Sequence, residues 1–262
     1  MTKVPNTLRS TSAPISRRRV LAGLWAKEWH EQRWRLFLGT IVLGGLLGGL
    51  LRAQIMPPHE SALLIYWPTG MVLVIFLAMG SVAAERAERT WEFLLAQPVT
   101  RGDVLLAKWA WGLMQWVTMM VAATAVGLVA LRSRDPYAPW MQLFVFALIS
   151  TVSLSCWYTV LFLVLSRARN EFTAAIGGVL LTIAVHAWLL QFVAGYPLIG
   201  VVLNPVIGMA AVVAPQGPYG PHGPHVAFNL WWLLWLVPLQ VIVWIVLPIG
   251  WVLFRERRGG HL

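Results

Sequence analysis

"ERAERTWEFLLAQPVTRGDVLLAK", residues 85–108, holds eight charged side chains in twenty-four positions, in a chain where only 11% of residues are charged. On either side lie the apolar runs 62–83 and 104–131. Each is long enough for a helix to cross hydrocarbon, which takes about 20 mostly apolar residues. The stretch is therefore a polar link between two membrane spans.

Working outward, the runs 36–56, 138–165, 172–194 and 228–254 qualify in the same way. The 262 residues are 58% hydrophobic, with a mean hydropathy of +0.69, whereas a soluble domain carries roughly 25% charged residues. The expected fold is an all-α integral membrane protein with six transmembrane helices. Residues 1–15, rich in Ser, Thr and Pro, read as a disordered cytosolic tail. Residues 16–262 read as one transmembrane domain, opening with an amphipathic interfacial helix over 16–35. No small-residue cleavage pattern follows the first apolar run, so it is expected to stay as an anchor. The stretch 195–214, "GYPLIGVVLNPVIGMAAVVA", is apolar enough for a seventh span, but Pro197 and Asn204-Pro205 interrupt it.

Charge separates six spans from seven. With the amino terminus inside and six crossings, seventeen of the twenty Lys and Arg fall on the inner side and only Arg52, Arg132 and Arg134 outside. A seventh crossing would put Arg255, Arg257 and Arg258 outside, against the positive-inside rule. Residues 195–214 are accordingly expected as a re-entrant segment before the sixth span. Both termini are then cytosolic, in a multi-pass protein of the inner (plasma) membrane. The net charge of +10 reads as topology-setting charge at the lipid bilayer, and nucleic acid is not expected as a partner.

On this topology the opening stretch is cytosolic. At 100° per residue, Glu88, Arg89 and Glu92 fall within about 60° of Glu85, while Ala87, Trp91 and Leu94 lie on the other side. That is a short amphipathic helix along the membrane surface. Gln97-Pro98 ends it, and Thr100 with Asp103 has the spacing of a capping box that opens the third span. The acids could simply balance the arginines, in pairs worth a few tenths of a kcal/mol. They run against an otherwise basic inner surface, however, and suit a docking site for a soluble partner better than a lipid contact.

Glu85, Arg86, Glu88, Arg89, Thr90, Glu92, Leu94, Leu95, Pro98, Val99, Arg101 and later Ala107-Lys108 resemble the pattern E-R-x-x-G-T-x-E-x-L-L-x-x-P-V-S-R…G-K of the ABC-2 type permeases, the membrane subunits of ABC transporters. "LWAKEWHEQRWR", residues 24–35, is similar to that family's amphipathic N-terminal helix with its K-E pair. The sequence departs from the pattern at Thr100, where the family has Ser, and in the small residues before Thr90 and Lys108. The resemblance implies that the link between spans two and three is a coupling helix driven by a separate ABC ATPase. Glu85, Arg86, Glu88, Arg89, Glu92, Pro98 and Arg101 would make that contact. It also implies a second permease, either a copy or a paralogue, and transport of a hydrophobic or amphipathic substrate, with export expected. A membrane scaffold that docks a partner without transporting is the alternative reading.

No G-x-x-x-x-G-K-[ST] occurs in the chain, so no P-loop cradles nucleotide phosphates, and ATP with its Mg is expected on the partner ATPase. No catalytic residue, metal site or cofactor of the chain's own is expected. His30-Glu31 is not followed by a second zinc-binding histidine. His222 and His225, in the Pro/Gly-rich segment "APQGPYGPHGPH" at 214–225, with His59, are too few for a metal site. Gly44, Gly45, Gly48 and Gly49 form two overlapping G-x-x-x-G patterns in the first span, which admit a close neighbour either within the chain or across a dimer. Thr151, Ser155 and Tyr158 share a stripe of the fourth span, and Thr182 with His186 forms an i,i+4 pair in the fifth. A substrate path and ordinary interhelical hydrogen bonding, worth about 0.6 kcal/mol each, both fit these residues.

Overall fold

A computed structural model describes residues 17–87, 100–136, 140–168, 170–195, 213–215, 226–228 and 237–257. Its helices are α1 (Arg17–Ala53), α2 (Pro58–Ala87), α3 (Arg101–Arg134), α4 (Trp140–Leu165), α5 (Glu171–Gly195) and α6 (Leu247–Arg257). Among the described residues five helical stretches are long and apolar enough to cross a membrane: Arg18–Ala53, Glu60–Gly80, Arg101–Arg134, Leu143–Leu165 and Val237–Phe254. In α5 the described apolar part is Phe172–Val185.

Helix boundaries follow local chemistry. No proline interrupts α1; it ends where Gln54 turns to φ 53° ahead of Pro57-Pro58, and α2 begins on Pro58, whose missing N–H costs nothing at a first turn. Thr100 caps α3 reciprocally: its hydroxyl accepts from the Asp103 amide at 3.2 Å, and its own amide donates to the Asp103 carboxylate at 3.1 Å. This is the expected capping box. Asp135 ends the helix before Pro136, as a residue preceding proline leaves helical geometry. The Asn170 side chain caps α5 through the Thr173 amide at 2.8 Å.

Two features differ from expectation. From residue 17 the expected interfacial segment and the first span are one unbroken helix, α1, because no breaker separates them and Leu24, Glu28 and Gln32 of its amino-terminal half are buried in the bundle. In the all-α scheme there is also one short antiparallel strand pair. Val213–Pro215 pairs with Val226–Phe228, Ala214 opposite Ala227. The last span carries a π-helical turn at Ile242–Val246. Pro248 offers no N–H to the preceding turn, so the hydrogen-bond register there is already incomplete.

The bundle is organised around α1 lying along α3, with α4 packed against both α2 and α3. Leu43, Leu47 and Leu51 of α1 meet Met119, Met120 and Ala123 of α3 in one buried cluster with Tyr66 and Leu77 of α2 and Leu154 and Phe162 of α4. The Trp116 indole donates to the Thr151 carbonyl at 3.2 Å. Gly70 makes room for that ring: a Cβ there would lie 2.9 Å from Trp116 and 2.6 Å from Leu154. Phe37, Leu38 and Ile41 of α1, Val121 and Val129 of α3, and Phe172 and Ile183 of α5 point outward. An apolar exterior around a polar-containing interior suits hydrocarbon as the solvent.

Candidate functional site

α1 presents Leu24, Glu28 and Gln32 at four-residue intervals, all buried, so one stripe of the helix faces inward. α3 presents Lys108, two turns beyond the Thr100 cap, also buried. The two charges meet in an ion pair between the Lys108 ammonium and Glu28 Oε1, with side chains 1% and 2% exposed. The Gln32 amide donates to Glu28 Oε2, so each carboxylate oxygen has a donor. The Gln115 amide, two turns further along α3, donates to the Gln32 backbone carbonyl at 3.2 Å. Trp25 and Trp29 bring their rings edge-on to Trp111 at 5.5 and 5.9 Å, shielding the layer with three indoles.

Desolvating two charges is costly, and their attraction compensates only when geometry and further hydrogen bonds are good. That condition explains the amide from Gln32. The neighbouring Lys27 behaves differently: it reaches outward to Glu31 at 3.7 Å in a partly exposed pair, of the kind that contributes little. Of the Lys27-Glu28 pair singled out in the sequence, the acid faces the bundle and the base the surface. Both named motifs, the K-E pair and Ala107-Lys108, thus converge on one buried contact that sequence spacing did not reveal.

α4 closes the layer. Tyr158 is fully buried, and its hydroxyl lies against the α3 backbone at Gly112, where a Cβ would overlap it. Among the described residues no hydrogen-bond partner takes that hydroxyl. The Trp109 indole donates to the Thr159 hydroxyl at 3.1 Å, tying α3 to α4 again.

Of the expected coupling residues, Glu85 and Arg86 lie in the last turn of α2, which carries on from the second span to Ala87. Glu88, Arg89, Glu92 and Pro98 lie outside the described residues. Arg101 is the first residue of α3. The far side of the link is therefore a capped helix start, rigidly joined within two turns to the Glu28–Lys108 pair.

The glycines divide cleanly. Gly44 and Gly48 face α3, where added Cβ atoms would lie 3.5 Å from Ala123 and 3.3 Å from Val126, whereas Gly45 and Gly49 meet nothing within 4 Å among the described residues. One G-x-x-x-G is used inside the chain and the other is left open. On the stripe of α4, Thr151 donates to the Ala147 carbonyl and Ser155 to the Thr151 carbonyl, each at 2.6 Å. These hydroxyls are satisfied by their own helix. In α5 Thr182 donates to Gly178 at 2.7 Å, and the side chain of His186 lies outside the described residues. At the opposite end of the bundle a cavity of about 390 Å³ separates the α1–α2 turn from Leu131, Arg134 and Asp135. His222 and His225 also lie outside the described residues.

Residues 39–219 match the family model described as ABC-2 family transporter protein. No curated protein and no solved structure matched the chain. The matched stretch holds Lys108, α3 and the charged link, but begins after Glu28, so the buried pair joins the family core to the preceding half of α1. With well over half the chain matched, a bundle of apolar spanning helices and a charged link between the second and third, the chain belongs to the ABC-2 transporter family, as a multi-pass membrane component of a transport system.

Proposed function

We propose that the chain is the permease subunit of an ABC transporter, converting ATP hydrolysis on a separate ATPase into export of a hydrophobic or amphipathic substrate. The observation that carries this reading is the mechanical continuity from the charged link into the bundle. The link ends at the Thr100 cap, and Lys108 two turns later is locked to Glu28 of α1. A displacement of the start of α3 is then shared by α1 rather than dissipated in a flexible joint. ATP and Mg sit on the partner subunit; this chain supplies the docking face and the path. The five apolar spans together with α5 make six crossings, with both termini in the cytosol of the inner-membrane compartment. The open face at Gly45 and Gly49 suits close approach by a second permease, either a copy or a paralogue.

The acids of the link are the docking charges. Reversing one charge in a buried complementary pair costs about 2–5 kcal/mol or more. Glu88→Lys and Glu92→Lys should therefore release the ATPase or uncouple it while the chain still inserts, since both changes add positive charge to the inner side. The measurement is co-purification of the ATPase from membranes, with substrate-stimulated ATP hydrolysis in matched proteoliposomes. Parent-like capture and stimulation by both variants would remove the docking face. Capture without any substrate-dependent hydrolysis in the parent would favour a scaffold.

A further inference from the structure

The last span is held differently from the helix it leans on. In the apolar window of Leu143–Leu165 in α4, 67% of the residues are buried, whereas in Val237–Phe254 the single buried residue is Gln240. Leu239, Ile242, Val246 and Leu247 of that span are turned outward. The Cys156 thiol of α4 donates to the Gln240 backbone carbonyl at 3.8 Å, so the one buried position is also the point of contact with α4. Trp244 follows one turn later on the same face, and its enclosed indole N–H takes no partner among the described residues. Helices in lipid associate through close packing and polar contacts, not through a hydrophobic driving force. A span with one buried residue is therefore weakly held.

Just beyond Gln240 the helix loosens. Over Ile242–Val246 it is π-helical, and the Leu247 amide donates to the Ile242 carbonyl five residues back. Pro248 then brings no N–H, and its ring crowds the carbonyl four residues before it. π turns and prolines are the places where helices bend. The contacts on the two sides of this point differ: the π turn lies on α4, and α6 beyond it lies on α3. A bend there separates a segment docked on α4 from one docked on the helix that starts at the Thr100 cap.

We infer that the last span is a hinged gate: bending at the π turn and Pro248 lifts Gln240 off Cys156 and parts the span from α4, while α6 stays on α3. The gap so formed opens sideways to lipid, since the outer face of the span is apolar and exposed. Movement of α3 reaches the span through α6 and leaves the Gln240 contact as the part that yields. A hydrophobic or amphipathic substrate would pass between bilayer and bundle at this seam, its polar part meeting Gln240 and the Trp244 indole. That use rests on the transport reading above; the bending itself does not.

Cys156, the chain's one cysteine, reports the opening. The full-length chain in phosphatidylcholine nanodiscs is treated with membrane-permeant N-ethylmaleimide, and modification of Cys156 is followed by mass spectrometry. The parent should react slowly compared with the denatured chain. Ile242→Gly changes an exposed side chain on the face away from Gln240. It should raise the rate about threefold, the difference in helix propensity between Ile and Gly expressed as a population ratio. Pro248→Ala restores the missing N–H and should slow labelling by about tenfold or more. Ser155→Cys in a Cys156→Ser background is the control, because Ser155 lies on the stripe whose Thr159 is bonded to Trp109 of α3; its rate should not follow the hinge variants. Labelling of the parent at the denatured rate, or a rate that neither variant shifts, would overturn the gate. Equal shifts at the control position would reduce it to breathing of the whole bundle. Should Ile242→Gly fail to insert, Pro248→Ala decides alone, and an unchanged rate overturns the proposal. No ATPase is needed, so failure here counts against the gate and leaves the transport reading standing.

Discussion

Glu28 and Lys108 are eighty positions apart in sequence yet share one buried contact. Removing one partner of such a pair leaves an uncompensated buried charge, which costs about 3–5 kcal/mol, whereas replacing both is often neutral. Lys108→Met should therefore destabilise the purified protein by that amount, and Glu28→Gln comparably, because it leaves the equally buried Lys108 ammonium without its carboxylate. Glu28→Gln with Lys108→Met should recover most of the loss. Denaturant unfolding in one detergent reads the whole cycle; a double variant as unstable as the sum of the singles would show that the two side chains do not act as a pair. The pairing was not legible in the sequence, where Glu28 stood next to Lys27 in a charged run with nothing to say which of the two turned inward. Burial decides it, and burial here is a property of α3 rather than of α1. The Thr100–Asp103 cap was legible because its two partners are three residues apart and need nothing else to meet.

At the scale of elements, α1 shows what a local pattern leaves open. Two G-x-x-x-G patterns one residue apart sit 100° from each other around a helix, and only the position of α3 assigns their roles. Gly44→Ile should disrupt the bundle itself, because its side chain would be driven against Ala123 and Val126, and overpacking costs about 1–3 kcal/mol or more. Gly45→Ile meets open space within the chain and should leave the monomer's thermal stability unchanged while weakening association between permeases. Cross-linking in membranes together with melting of the purified subunit separates the two effects. Equal melting losses for both would place Gly45 inside the bundle, and undiminished cross-linking by Gly45→Ile would move the dimer contact elsewhere. The continuity of α1 past residue 35 has a related cause. Amphipathic and fully apolar periods are both helical, so the change in hydrophobicity at Leu36 marks where lipid begins rather than where a helix ends.

For the whole molecule, the apolar runs were readable because length and composition alone identify a span; five of the six have a described helix long enough to cross, the last of them from Val237 rather than 228, where Phe228 is in a strand. The orientation and the number of crossings depend on charge bias, and they come to a sharp test at 195–225. Val213–Pro215 pairs with Val226–Phe228, so residues 213 and 228 lie side by side at the two ends of the loop 216–225, and the last described span starts at Val237. If 195–214 only dips and returns, that loop is outside and the carboxyl terminus inside; if it crosses, both reverse. Cys156 is the chain's one cysteine and is buried, its Sγ 3.8 Å from the Gln240 carbonyl, so the parent provides a low labelling background. An impermeant maleimide applied to intact cells should label Gln216→Cys and spare Ser12→Cys and Gly259→Cys until the membrane is permeabilised. Labelling of Gly259→Cys with protection of Gln216→Cys would require a seventh crossing. That would put Arg255, Arg257 and Arg258 outside, and with them would go the charge argument that places the link between α2 and α3 in the cytosol, where an ATPase could reach it.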